Sequence, residues 1–71
     1  MEFRTQLKEI RRARGMTQKD VYLRLQVSPN CYASWEQGRT EPDIASIKKL
    51  CEIFGVSADY LLGLEDEFGE K

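Results

Sequence analysis

The sequence predicts an all-α fold. No segment of the 71 residues alternates apolar and polar side chains as a half-buried strand would. Apolar residues instead recur every three or four positions, in stretches that each follow a capping residue. A chain of this length buries only about 60% of its unfolded surface, so it has room for one small core. We expect five short helices around that core.

The first helix is expected from about Phe3 to Arg14. Phe3, Leu7 and Ile10 lie on one face at helical spacing, and Gly15 is suited to the left-handed conformation that ends many helices.

The second helix begins after Thr17. Thr17 and Asp20 form a capping-box-like pair, and Asp20 also places a negative charge in the first turn, where the helix dipole favours it. Val21 and Leu25 then recur four positions apart and define the buried face.

The third helix is expected over about residues 28–37. Ser28 is its cap, Pro29 takes the first helical position and Gly38 ends it. Two residues, Gln26 and Val27, separate it from the second helix. A helix, a tight turn and a helix of about ten residues is the layout that places a helix in the major groove of DNA.

The third helix has an apolar face and an opposite face that is almost free of charge. Small and amide side chains suit an approach to base edges, because Asn and Gln bind adenine through two hydrogen bonds and Ser both donates and accepts. The alternative is a solvated surface that is merely low in charge. The outward stripe is Asn30, Ala33, Ser34 and Gln37, and the apolar side is Cys31, Tyr32 and Trp35.

The fourth helix is expected from a cap at Asp43 to Phe54, and a short fifth helix from a cap at Ser57 to Gly63. Residues at helical spacing in the fourth helix are expected to face the core, namely Ile44, Ile47, Cys51 and Phe54, with Leu50 beside them. The expected core is Leu7, Ile10, Met16, Val21, Leu25, Val27, Tyr32, Trp35, Ile47, Leu50, Phe54, Val56 and Leu61. We assign residues 1–63 to this domain and residues 64–71 to a short acidic tail.

The residue content argues against several classes of function. The chain has no histidine, no nucleophile near a base and no glycine-rich phosphate loop, so an enzyme is not expected. Cys31 and Cys51 stand twenty residues apart and predict buried, reduced thiols rather than a metal site. We expect no cofactor. The charged N-terminus and the lack of a long apolar run predict a cytoplasmic protein.

The charge is divided between the two halves of the chain, although the net charge is −1. Residues 1–40 carry eight Lys or Arg and four acids, whereas residues 41–71 carry three and eight. A basic half facing phosphate and an acidic half facing away would give weak non-specific binding to nucleic acid.

Three stretches of the sequence resemble the phage-repressor and Cro-like (xenobiotic-response-element type) helix-turn-helix family. They are RRARGMTQ before the second helix, VSPNCYASWEQGR across the third, and EPDIASIKKLCEIFGVSADYLLG after it. The resemblance covers about Leu7 to Gly63, and several spaced signals that agree are more specific than one short motif. It implies a compact lambda-repressor-like bundle of five helices that binds DNA, usually as a dimer.

The resemblance also implies roles for individual residues. Base edges would be met by Pro29, Asn30 and Ser34, with Ala33 near a thymine methyl group. The DNA phosphates would be gripped by Thr17, Gln18, Ser28, Gln37, Arg39 and Thr40. Ser28 is equally explained as a helix cap. Arg11 and Glu36 match positions that form an ion pair in many relatives, the alternative being that Glu36 is a solvated charge at the helix end.

The chain departs from the family pattern at two positions. Tyr22 replaces a small residue where the second and third helices meet, so it must point outward or widen that contact. Gln26 replaces a glycine at a turn position that tends to need positive φ, at a cost of about 1 kcal/mol. Both changes affect the geometry between the two helices rather than the fold.

The expected partner is a double-stranded DNA operator, in the form of an inverted repeat bound by a homodimer that is weak off DNA. A single helix reads too few base pairs to select one site in a genome. Leu62, Leu64 and Phe68 are the candidate dimer contacts, although Leu62 also fits the core and the other two a tail. We expect a repressor. An antitoxin with a toxin partner is the nearest rival, and a protein-binding bridging module is the other.

Overall fold

The computed structural model describes residues 2–64 and confirms the all-α fold. Short turns join α1 (Phe3–Ala13), α2 (Gln18–Leu25), α3 (Pro29–Gln37), α4 (Ile44–Phe54) and α5 (Ala58–Leu61). Each helix begins and ends within two residues of the position that the sequence predicts. None of the helices in this part of the chain has the length and apolar character needed to cross a membrane.

Four helices begin at a side-chain cap. The oxygens of Thr17, Ser28, Asp43 and Ser57 each accept a hydrogen bond from the backbone N–H three residues on. At α2 the box is complete, since Asp20 Oδ2 also accepts from the backbone N–H of Thr17 at 2.9 Å. These caps pair N–H groups that the helix itself leaves without partners, so the helix starts follow from local sequence.

The core lies where all five helices meet. Helix α1 packs on α3 and α5, α2 packs on α3 and α4, and α4 packs on α5. Every buried hydrophobic residue of residues 2–64 belongs to the expected core: Leu7, Ile10, Val21, Leu25, Tyr32, Trp35, Leu50, Phe54 and Leu61. The remaining expected members, Met16, Val27, Ile47 and Val56, are half-buried and pack around them. The sequence predicts buried thiols at Cys31 and Cys51, but both are free thiols that are only half-buried.

Ile44 is expected to face the core, but 73% of its surface is exposed, so this prediction is wrong. It shares a helical stripe with Ile47, but it is the first residue of α4, and the residues of this helix that are fully buried, Leu50 and Phe54, lie further along it. Gln6 is buried instead, and its Nε2 donates to the Tyr60 carbonyl at 2.8 Å, which joins α1 to α5. Tyr22 is half-buried and packs against the core cluster, so its ring is not fully outward.

Gln26 has the left-handed backbone that the turn was expected to need. Its φ is 62° and its ψ is 41°. Among the non-glycine residues of the described part of the chain, Gln26 alone has a positive φ. A side chain in this conformation crowds the backbone, at about 1–2 kcal/mol. The turn that orients α3 on α2 is therefore kept at a cost in stability.

Replacing Gln26 by Gly should raise the free energy of unfolding by about 1 kcal/mol, because glycine adopts this conformation without strain. Urea denaturation measures the change. Gln26→Ala is the matched control, since it removes the same side chain but keeps the Cβ that causes the crowding. Equal stability of the Gly and Ala variants would contradict the strain.

Candidate nucleic-acid interface

The outward face of α3 presents the side chains that the family resemblance assigns to base edges. Pro29 and Asn30 are exposed at the start of the helix, and Ala33 and Ser34 are half-exposed one turn later. The opposite face is buried through Tyr32, Trp35 and Glu36. No side chain on the outward stripe carries a charge, so this face offers amide, hydroxyl and methyl groups to a partner.

The residues assigned to phosphates lie at the ends of α2 and α3. Thr17 and Ser28 cap these helices, and each accepts one hydrogen bond at 3.1 Å while retaining a hydroxyl proton to donate. Past α3, Arg39 Nη1 donates to Gln37 Oε1 at 3.3 Å, and Thr40 is exposed. Helix N-termini attract anions through their N–H groups and dipole, so both starts are suited to a phosphate.

The Gln18 side chain is engaged inside the protein. Its Nε2 donates to Glu36 Oε1 at 3.0 Å. The capping box already pairs the backbone N–H groups of Thr17 and Asp20, so a phosphate at this end of α2 would meet the remaining N–H groups of the first turn, together with whatever hydrogen-bonding capacity the Gln18 amide retains.

A buried cluster around Glu36 holds the back of α3. Arg11 of α1 donates to both carboxylate oxygens, from Nε to Oε2 at 2.7 Å and from Nη2 to Oε1 at 3.2 Å. The Tyr32 hydroxyl donates to Oε2 at 2.5 Å. The two charged side chains are 10% and 2% exposed. With Gln18, the Glu36 carboxylate accepts four hydrogen bonds from three helices.

The cluster keeps its charges in place. Burial by itself raises the pKa of the Glu36 carboxyl group, but the hydrogen bonds from Arg11, Tyr32 and Gln18 outweigh burial and leave that pKa below its usual value. Burial, followed by the bond to Glu36, raises the pKa of Tyr32 far above its ordinary range, so its hydroxyl stays protonated and donates. Arg11 also donates from Nη1 to the Met16 carbonyl at 2.9 Å.

Sequence reasoning did not include Tyr32 and Gln18 in this cluster. The aromatic ring of Tyr32 predicts a place on the apolar face of α3. In the structure this ring packs edge-on against Trp35, with centroids 5.8 Å apart. One signal was available, since Tyr32 and Glu36 are four residues apart and therefore neighbours on one side of a helix. Gln18 gave no comparable signal, because 18 residues separate it from Glu36.

Comparison with known proteins gives one consistent family. Residues 7–61 match the family model described as helix-turn-helix. The HTH-type transcriptional regulator ImmR of Bacillus subtilis (strain 168) is 37% identical over 71 residues, covering all of this chain and 55% of ImmR. The HTH-type transcriptional activator BcrR of Enterococcus faecalis is 33% identical over 66 residues, covering 93% of this chain and 32% of BcrR. The relatives are named as transcriptional regulators and not as enzymes.

A solved structure agrees in fold. The crystal structure of a transcriptional regulator from Listeria innocua superposes with a TM-score of 0.82 at 27% sequence identity, over 93% of this chain and 62% of that one. The chain therefore spans between about a third and three fifths of the length of these relatives.

The Glu36 cluster predicts a loss of stability in acid. Because the pKa of Glu36 is lower in the folded than in the unfolded chain, its ionised form stabilises the fold above the unfolded value of about 4.3. That contribution is lost as the pH falls through the folded value. Glu36→Gln should be less stable at pH 7 and should show a shallower decline below about pH 5.

Urea denaturation at a series of pH values measures how steeply the free energy of unfolding falls with pH in the unmodified protein and in Glu36→Gln. The pKa values of Asp20 and Asp43 are also lowered, by hydrogen bonds at their helix starts, but both proteins contain these residues, so their effect cancels in the difference. Parallel curves for the two proteins would show that Glu36 contributes nothing to the acid sensitivity.

Proposed function

Because the chain belongs to the helix-turn-helix family, we propose that it is a sequence-specific DNA-binding regulator of transcription, with α3 as the helix that enters the major groove. The observation that carries the proposal is the uncharged, exposed stripe of α3, held outward by the buried Glu36 cluster on its other side. An ordinary surface helix would carry Lys and Glu on such a stripe.

Asn30 is the proposed main reader of base identity. It is exposed near the start of α3, where a recognition helix approaches base edges most closely. Its amide can form the two hydrogen bonds that distinguish adenine, with Ser34 one turn on as donor or acceptor. Ala33 and Pro29 offer apolar contact to a thymine methyl group.

The phosphates on either side of the groove are the proposed partners of the helix ends. Thr17, Gln18 and Ser28 would bind through hydroxyl and backbone N–H groups, while Gln37, Arg39 and Thr40 would bind from the segment that follows α3. The basic residues are concentrated in residues 1–40 and the acidic ones in residues 41–71. This division favours approach of the α3 side to DNA.

Two copies of the chain are proposed to bind one operator. Leu62 is half-buried and Leu64 is 54% exposed, so both offer apolar surface after α5, whereas Phe68 lies outside the described residues. Leu62 also lines a small groove of about 120 Å³, together with Phe3, Glu41, Pro42 and Ile47. A two-fold pair would place its two recognition helices about 34 Å apart, in successive major grooves.

We further propose that the regulator is a repressor acting in the cytoplasm. A bound pair covers its operator and so blocks access to it, which requires only the contacts to DNA and those between the two copies.

Selection of bound sequences from a random pool of double-stranded DNA tests the proposal. The expected result is an inverted repeat whose half-site centres lie about one helical turn apart. A single unrepeated site would contradict the dimer but not the DNA reading. Failure to enrich any sequence, with no salt-dependent binding, would contradict the proposed function and favour a protein-binding module.

A further inference from the structure

A second arginine lies at the end of α3, contributed by α1. Arg4 Nη1 is 3.5 Å from the carbonyl oxygen of Gln37, the last residue of α3. The Arg4 side chain crosses directly over Gly38, where an added Cβ would lie 2.6 Å from Arg4 Cδ. Glycine at this position therefore gives the left-handed end of α3, at a φ of 77°, and also the space that the arginine occupies.

Arg4 and Arg39 both hydrogen-bond to Gln37. Arg39 donates to the side-chain oxygen of Gln37 and Arg4 to its backbone oxygen. Beside Arg4 is an open groove of about 450 Å³, whose wall includes Glu2, Trp35, Gly38, Thr40 and Glu41. Two guanidinium groups are thus bound to Gln37, in the segment already assigned to a DNA phosphate.

The electrostatics of this end of α3 favour a nearby cation. A helix C-terminus carries partial negative charge on its last carbonyl groups and repels an anion, and α3 has no basic residue in its own last turn. Arg4 supplies that charge from a different helix. Its own partner is weakly held, since the contact from Nε to Glu2 Oε1 at 3.1 Å joins side chains that are 52% and 70% exposed, and such exposed pairs add little stability.

We propose that Arg4 is a further contact to the DNA backbone, binding a phosphate together with Arg39 and Thr40 at the end of α3. The inference rests on the proposed DNA binding. In the free protein Glu2 holds the Arg4 guanidinium near the site, and on DNA a phosphate replaces Glu2. The guanidinium then serves two partners, the Gln37 carbonyl and the phosphate, with donors to spare.

The test is the salt dependence of binding to the selected operator, measured from about 50 to 200 mM salt. Each phosphate contact contributes about 0.9 to the slope of log K against log salt. Arg4→Gln should therefore flatten the slope by about one unit per half-site, as Arg39→Ala should, whereas Arg4→Lys should keep the slope of the unmodified protein. Glu2→Gln should bind more tightly, because the competing carboxylate is gone.

Lys48→Gln is the matched control, since it removes one exposed positive charge from α4, which contributes nothing to the wall of the groove. Thermal unfolding of each variant measures any effect on the end of α3 itself. A weaker Arg4→Gln complex with an unchanged slope would overturn the inference and leave Arg4 as a structural partner of Gln37. An Arg4→Gln slope equal to that of Lys48→Gln would overturn it as well.

Failure of the inference and failure of the proposed function give different results. If Arg39→Ala flattens the slope and Arg4→Gln does not, DNA binding stands and the Arg4 contact is wrong. If the unmodified protein shows no salt-dependent binding to any DNA, both proposals are wrong.

Discussion

The Glu36 carboxylate is the group on which the rest of the structure depends. It accepts hydrogen bonds from Arg11 of α1, Gln18 of α2 and Tyr32 of its own helix. Removing one partner from a buried ion pair leaves an unpaired charge and costs about 3–5 kcal/mol. Small domains have a total stability of about 5–15 kcal/mol, so an α3 that slid or rotated away from these donors would lose a large part of it.

The hydrogen bonds that fix Glu36 in the fold also fix which face of α3 is available for the proposed function. Glu36 and Tyr32 lie on the inner side of α3, and fixing them there turns Asn30, Ala33 and Ser34 outward. The same carboxylate holds the Gln18 side chain at the start of α2. One buried cluster thus sets the position of the proposed base-reading stripe relative to a helix end that is proposed to bind phosphate. The Gln26 turn sets the spacing between the two helices at the cost of a left-handed residue.

The sequence was most informative where the determinants are local. Caps such as Ser28 act on an N–H three residues on, and the buried faces repeat at the helical period, so helix limits and the main core were predictable. The prediction that Ile44 faces the core was wrong, because helical spacing identifies a stripe on a helix but not which residues of that stripe are covered by other helices. The Gln18 side chain and the buried Gln6 depend on how separate helices dock, which local pattern does not specify. The residues assigned to DNA came from the family resemblance, and most of them, Asn30 among them, are exposed.

The central claim is that the outer face of α3 reads base identity, and the affinity of Asn30→Ala for the selected operator tests it most directly. Asn30 is exposed and no contact joins it to the Glu36 cluster in the described structure, so the free energy of unfolding should be unchanged within about 0.5 kcal/mol. The account predicts a loss of about 1–3 kcal/mol in binding per half-site, with discrimination relaxed at one base pair. Binding as tight and as selective as that of the unmodified protein would contradict the claim.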